Sequence, residues 1–229
     1  VSMRPLSDAN SYVADLLIFA LGMIILALVQ CAPAPAAASP IPTAAGQYRG
    51  LLVRSARFEF GLNAPVATLA AQVHQESRWN KSAQSPVGAQ GLAQFMPTTA
   101  EWMPEVDASL KNPAPFNPGW ALRAMARYDK WLLARVEAVC VCEQWAMVLS
   151  SYNGGLGWVY RDKRLALASG ASELAWFNHV ENFNAGRSAA NFQENRHYVR
   201  VILSRFEPTY HRAGWGPGVC LDRDWEAQR

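Results

Sequence analysis

The sequence predicts an all-α fold, on three observations. Apolar residues recur at helical spacing in several separate stretches, no run alternates apolar and polar residues as a half-buried strand does, and residues that start or stop helices punctuate the stretches. Of the 229 residues 51% are hydrophobic, enough for one sizeable core with an appendage. The formal charge of +3 carries no long Lys/Arg run of the kind that tracks phosphates, so nucleic acid is not an expected partner.

The appendage comes first. Leu16 to Val29 is the only strongly hydrophobic run, preceded by Arg4 and interrupted upstream by Asp15. At about 1.5 Å per residue it covers some two-thirds of a roughly 30 Å hydrocarbon core, which suits a signal-peptide core within residues 1–30 better than a permanent span. Ala32, Ala34, Ala36 and Ala38 offer cleavage sites of the A-x-A kind. An uncleaved signal anchor is the alternative, with membrane contact through residues 16–29. Gln30 is bulkier than a lipidation site at Cys31 accepts. Residues 31–46 place Pro33, Pro35, Pro40 and Pro42 among small residues and read as an extended linker, leaving residues 47–229 as the folded domain.

Within that domain Tyr48, Leu51, Leu52, Ser55 and Phe58 predict a first helix closed at Gly61, and Asn63 is the expected cap of a second. Val66, Leu69, Ala70 and Val73 form the stripe of a helix with one buried face. Glu76 lies close to Leu69 on that wheel, so its carboxyl points along the apolar side. Desolvation and the negative end of the helix dipole both raise its pKa toward the range of a general acid, whereas the bland alternative is a Glu on a solvated rim. His74 is expected on the helix surface. Ser85-Pro86, Gly88 and Gly91 then build a chain reversal, in which Gln90 and Gln94 offer uncharged donors and acceptors suited to sugar hydroxyl and acetamido groups. Thr98 to Glu101 read as a capping box just after Pro97.

A proline-spaced stretch runs from Trp102 to Phe116. Asn117 and Pro118 then read as an N-cap followed by proline at the first helical position, and Ala121, Met125, Tyr128 and Leu132 as a buried stripe. Trp145, Val148, Leu149 and Tyr152 line another helix that ends at Asn153-Gly154-Gly155. From Gly157 to Arg187 the pattern is looser and insertion-like. Helical order returns from Asn191 to Glu207 through Tyr198, Val201, Ile202 and Arg205, with Pro208 as the stop. Tyr198 has an apolar body and a hydroxyl that needs a partner when buried, which a hydrogen bond to Glu76 would supply. The histidines lack paired spacing, Cys140 and Cys142 are too close for a zinc knuckle, and no nucleotide loop appears, so neither metal nor cofactor is expected.

Four stretches together carry a family resemblance. Gln75-Glu76-Ser77, Gly91 to Pro97 (GLAQFMP), Ser151 to Gly155 (SYNGG) and Asn195 to Val199 (NRHYV) resemble the ordered motifs of the soluble lytic transglycosylase domain. The resemblance spans roughly residues 48–206. Ser151 stands where the family usually has Ala, and Trp79 where it has another aromatic. The stretch from Tyr152 to Arg164 is most similar to phage-encoded members.

The resemblance implies a lysozyme-like helical fold, shared with goose-type lysozymes, and an enzyme that cleaves peptidoglycan glycan strands. Glu76 would be the single catalytic acid, Ser77, Gln90, Gln94, Tyr152 and Asn153 would orient sugar groups, and Tyr198 would hold the acid. A periplasmic, inner-membrane-anchored or virion-associated location follows, and the basic balance favours approach to an anionic wall. Two other readings share these residues: a hydrolase in which a second carboxylate such as Glu101 reaches the cleft, and a non-catalytic wall-binding module.

An exported domain sits where disulfides persist. Cys140 and Cys142 are too close in sequence to bridge each other readily, so Cys220 is the expected partner of one of them, the alternative being buried free thiols.

Overall fold

The computed structural model describes residues 41–223 and 225, and the leader and most of the linker expected at 1–46 lie outside them. The helices in chain order are α1 (Ala45–Phe60), α2 (Val66–Ser77), α3 (Pro97–Val106), α4 (Pro118–Leu133), α5 (Val141–Gly154), α6 (Leu156–Ala168), α7 (Ala189–Val201) and α8 (Glu207–Arg212). Short 3-10 turns occupy Ala108–Leu110 and Val180–Asn182, and a π-helical segment, Ile202–Phe206, joins α7 to α8. Among the described residues β-structure is limited to isolated bridges at Gln84, Gln90 and Phe95, so the chain is all-α.

The centre of the fold is α2. Every residue from Val66 to His74 is buried, which makes it a helix enclosed on all sides and not the one-faced helix that its apolar stripe predicts. It packs against α1, the π segment and α8. Its three buried polar side chains each find a partner inside the protein, although Gln72 Oε1 has none among the described residues. Thr68 Oγ1 donates to Glu207 at 2.6 Å, Gln72 Nε2 donates to Asp129 at 3.3 Å, and His74 Nδ1 lies 3.1 Å from the Tyr210 hydroxyl with its ring stacked on Phe206. His74 is thus a core residue, not a surface one. Burial and the nearby Arg78 and Arg205 push its pKa down to about 4, so the ring is neutral at neutral pH.

Several helix boundaries differ from expectation for local reasons. The residue before α2 is Pro65, and no side chain caps the helix, so Asn63 plays no such part. Likewise α3 starts at Pro97, which needs no N–H partner at the first position, and no capping box forms. Pro104 lies inside α3 and the helix continues to Val106, into the stretch read as proline-spaced. The Asn117 cap is as expected, its Oδ1 accepting from the backbone N–H groups of Gly119 and Trp120 at 2.8 and 3.2 Å. Pro208 does not end the last helix. The π segment shifts the register so that Pro208 falls in the first turn of α8, where its missing donor costs little.

The stretch from Gly157 to Arg187 is more ordered than its sequence suggests. Its first half is α6, and its second half is irregular chain fixed by buried carboxylates. Glu143 accepts from the backbone N–H groups of Trp176 and Phe177 at 2.6 and 3.0 Å and pairs with Arg223 at 2.7 Å. Asp162 accepts from Ala185 N at 3.0 Å and pairs with Arg187 and Arg196. A Cys142–Cys220 disulfide with a sequence separation of 78 ties the C-terminal segment to the start of α5, and Cys140 is free and exposed. Glu207 anchors the same segment by accepting from Cys220 N at 2.8 Å, and a side chain at Gly218 would collide with it.

Candidate active site

Glu76 reaches its position because α2 ends there. The helix stops at Ser77, and Arg78 and Trp79 both adopt left-handed backbone, with φ of 52° and 66°, turning the chain sharply after the acid. The Trp79 indole fixes that turn. It is buried, lies parallel to Tyr48 and donates to the Tyr210 hydroxyl at 2.6 Å, so Trp79, Tyr210 and His74 form one hydrogen-bonded chain holding the end of α2.

The loop from Ser82 to Met96 forms the facing wall. Gln90 exchanges backbone hydrogen bonds with Phe95 at 2.9 and 3.1 Å, and Gly91 N donates to Ala83 O at 2.8 Å. Gly91 has φ of 74°, and a Cβ there would stand 1.9 Å from the Pro115 carbonyl oxygen, so the loop closes this tightly only with glycine. Gln94 also has positive φ, at 46°, and its Nε2 donates to Gly91 O at 2.9 Å, leaving Oε1 as the acceptor available to a ligand. Ser77 Oγ donates to Leu92 O at 2.8 Å, tying the loop to α2.

Between these walls lies a groove of about 480 Å³, lined by Glu76, Gln94, Tyr128, Tyr152, Asn153, Glu194 and Tyr198 among others. Four of the residues singled out from the sequence, Gln94, Tyr152, Asn153 and Tyr198, therefore meet Glu76 there. The other two stand apart from the groove lining: Ser77 opens onto an adjoining hollow, and Gln90 acts through its backbone. Tyr152 donates its hydroxyl to Ala93 O at 2.8 Å, and Asn153 Oδ1 accepts from Asn195 Nδ2 at 2.8 Å. Asn195 also bonds to Ser150, which fixes the end of α5 against α7. A side chain at Gly154 would meet Asn195, so the approach of the two helices needs that glycine.

The electrostatics centre on Glu76. Its half-buried carboxyl accepts from the Tyr198 hydroxyl at 2.5 Å. Burial pushes its pKa up to about 8, the Tyr198 hydrogen bond pulls it down, and the charge of Glu194 adds to the rise. It is therefore protonated at neutral pH, as a general acid must be. Burial and the neighbouring acids hold the Tyr152 and Tyr198 phenols far above the ordinary range, so both remain hydrogen-bond donors.

Three features escaped sequence reasoning. Tyr128 was read as core and lines the groove. Asp129 is fully buried, and its pKa is raised well above the usual range by burial against the opposing bond from Gln72, with the Glu76 charge adding to the rise. An acid four residues beyond Met125, on the same buried stripe, was a visible signal. Glu194 stands one turn before Tyr198 on the same face of α7, which was visible too. Glu101, the second carboxylate considered from sequence, is exposed on α3 and is not part of the groove lining.

A family model described as the transglycosylase SLT domain matches residues 60–175, a little over half of the chain. The chain belongs to this family. The SLT domain is 31% identical over 162 residues to membrane-bound lytic murein transglycosylase F of Haemophilus influenzae (strain PittGG), covering 63% of this chain and 31% of that protein. It is 26% identical over 185 residues to the protein of the same name from Vibrio vulnificus (strain YJ016), covering 76% and 32%. Its fold matches the 70 kDa soluble lytic transglycosylase of Escherichia coli, with TM-score 0.52 and 23% identity over 74% of this chain and 25% of that one. An inactive mutant of lytic transglycosylase Slt from Pseudomonas aeruginosa matches with TM-score 0.54 and 24% identity, over 79% and 26%. The chain thus spans about a third of the length of these curated relatives. Tyr198 and Glu194 lie beyond the residues the family model matches, so their place at the site rests on the geometry here.

Proposed function

We propose that this SLT domain is a peptidoglycan lytic transglycosylase that cleaves the β-1,4 bond between N-acetylmuramic acid and N-acetylglucosamine without water, leaving 1,6-anhydromuramic ends. The observation that carries the reading is Glu76, a protonated carboxyl at the floor of a groove, held by Tyr198 and faced by uncharged polar groups. The relatives named lytic murein transglycosylases support it.

In this mechanism Glu76 gives its proton to the glycosidic oxygen as the bond to the anomeric carbon breaks. The N-acetyl carbonyl of the muramic acid steadies the electron-poor carbon. The Glu76 carboxylate, now an anion stabilised by the Tyr198 hydroxyl, takes a proton from the 6-hydroxyl of the same sugar, which closes the anhydro ring and restores the acid. Nucleophile and electrophile share one ring, so fixed geometry contributes much of the rate. Gln94 Oε1 and Asn153 would hold acetamido and hydroxyl groups, and Ser77 ties the loop to the helix through Leu92.

A hydrolase is the second reading, because Glu194 puts another carboxylate on the groove, and a base there could activate water. Mass spectrometry of digested peptidoglycan separates the two by anhydro against reducing ends. Glu76→Gln should fold and lose at least a hundredfold in turnover, and a variant keeping a tenth of the rate would overturn the assignment. The relatives' names, together with the hydrophobic run at 16–29, support action on the wall from the periplasmic side, either with the leader removed or held by it, in wall remodelling or in phage infection and lysis. Among the described residues no helix is long and apolar enough to cross a membrane.

A further inference from the structure

One turn before the catalytic acid on α2, Gln72 meets a second carboxyl that the proposed reaction does not use. Asp129 on α4 and Gln72 are both completely buried, and Gln72 Nε2 donates to Asp129 Oδ1 at 3.3 Å. The other oxygen of each group is the anomaly. Asp129 Oδ2 and Gln72 Oε1 are both sealed from solvent with no hydrogen-bond partner among the described residues. Two orphaned oxygens, on side chains that already share a hydrogen bond, are both satisfied if one of them carries a hydrogen. An anion fits the distance poorly as well, because an amide bonded to a carboxylate normally lies about 2.7–2.9 Å from it.

The surroundings offer a charge at Asp129 no compensation. The titratable groups coupled to it are Glu76 from α2, Tyr128 from its own helix, Tyr152 from α5 and Tyr198 from α7, all of them acids and none a cation. Burial, with the Glu76 charge adding to it, holds the Asp129 pKa well above the ordinary carboxyl range despite the bond from Gln72. Glu76 is itself faced by Glu194 and Tyr198 from α7, so the region already carries as much negative charge as it can readily hold.

We propose that Asp129 is a positioning residue for the reaction: a carboxylic acid whose Oδ2–H donates to Gln72 Oε1 while Gln72 Nε2 donates to its Oδ1, closing an uncharged pair that holds α2 one turn before Glu76. The inference rests on the reading of Glu76 as the acid. Gln72 and Glu76 lie four residues apart and share a face of α2, so the pair pins the turn that aims the catalytic carboxyl. It also governs where charge can appear. When Glu76 gives up its proton the site must hold one negative charge, which an anionic Asp129 would oppose and a protonated one, locked onto Gln72, does not.

The test reads the proton directly and then its effect on the reaction. In the full chain, isotope-labelled at its aspartate carboxyls, nuclear magnetic resonance should show one aspartate that keeps the signature of a protonated acid from pH 5 to 8. Finding every aspartate ionised at pH 7 overturns the proposal whether or not any variant folds. Asp129→Ala leaves Gln72 without its partner and should lower kcat about tenfold with KM little changed, whereas Asp129→Asn, whose amide can both donate to and accept from Gln72, should restore the rate. The alkaline limb of the Asp129→Asn profile should stay near that of the wild type. Were Asp129 an anion, its replacement by Asn would remove a negative charge that raises the Glu76 pKa, and the limb would move toward acid by about one unit or more. Such a shift, or an Asp129→Ala enzyme that folds and keeps its kcat, overturns the proposal. A Glu76→Gln enzyme that keeps its rate would instead refute the assignment of the acid on which the positioning role stands.

Discussion

Replacing Tyr198 by Phe removes one oxygen from the protein and one hydrogen bond from Glu76. The lost bond, 2.5 Å from phenol to carboxyl, favours the anion, so its removal must raise the pKa of the acid. A hydrogen bond to a charged group contributes about 1.5–3 kcal/mol, and one pKa unit is about 1.4 kcal/mol, which gives a rise of about one to two units. Tyr198 is buried, so no water readily takes the place of its hydroxyl. The alkaline limb of kcat/KM for peptidoglycan solubilisation, set by loss of the Glu76 proton near pH 8, should therefore move to about pH 9–10. The rate on the plateau should fall at the same time, on the order of tenfold, because the carboxyl loses the group that orients it. The assay is the decline in turbidity of isolated sacculi from pH 5 to 10, with thermal melting as the control for folding. An alkaline limb that stays where it was, or moves toward acid, would refute the assignment of Tyr198 as the stabiliser of the Glu76 anion.

The same raised pKa has a stability consequence with the opposite emphasis. Between the ordinary carboxyl value of 4.5 and about 8 the folded protein holds a proton on Glu76 that the unfolded chain has lost, so wild-type stability falls as pH rises through that window. Glu76→Gln cannot ionise, and its melting temperature should exceed that of the wild type by a margin that widens from pH 5 to 8, whereas a margin independent of pH would mean that the acid is not desolvated. Gly91→Ala should destabilise by about 3 kcal/mol or more in denaturant titrations, since the new Cβ meets the Pro115 backbone at a positive φ, and a loss under 1 kcal/mol would show that the loop yields. Reducing Cys142–Cys220 opens a loop of 78 residues in sequence separation, for which chain entropy gives roughly 4 kcal/mol. Thiol counting in denaturant should find Cys140 alone reactive among the three cysteines at 140, 142 and 220 before reduction, and three reactive thiols would contradict the bridge.

The partial burial of Glu76 was legible because its helix carries a periodic apolar stripe on which Glu76 falls, whereas its choice as the acid came from the loop that follows and from the four motifs that resemble the family. Tyr198 was legible for a chemical reason, as a buried hydroxyl that needs an acceptor. The full enclosure of α2 was not, since the elements that cover its outer face, the π segment and α8, lie more than a hundred residues away and contribute Tyr210 and Glu207 as partners for polar side chains that look solvent-facing. His74 was misplaced for that reason. The irregular chain between Ala171 and Arg187 carries no period at all. Its order comes from Glu143, Asp162 and Glu181 accepting backbone and arginine hydrogen bonds, which local pattern cannot show. Pro208 misled because a proline normally ends a helix, and only the preceding π turn moves it to a position where it is tolerated.

The account stands most directly on where the attacking oxygen comes from. Peptidoglycan digested in heavy-oxygen water, with the new chain ends read by mass spectrometry, distinguishes the sugar's own 6-hydroxyl from solvent. The protonated Glu76 held by Tyr198 predicts anhydro ends that carry no heavy oxygen. Reducing ends labelled with it would show that water attacks, assign Glu194 or another base to the reaction, and contradict the central claim.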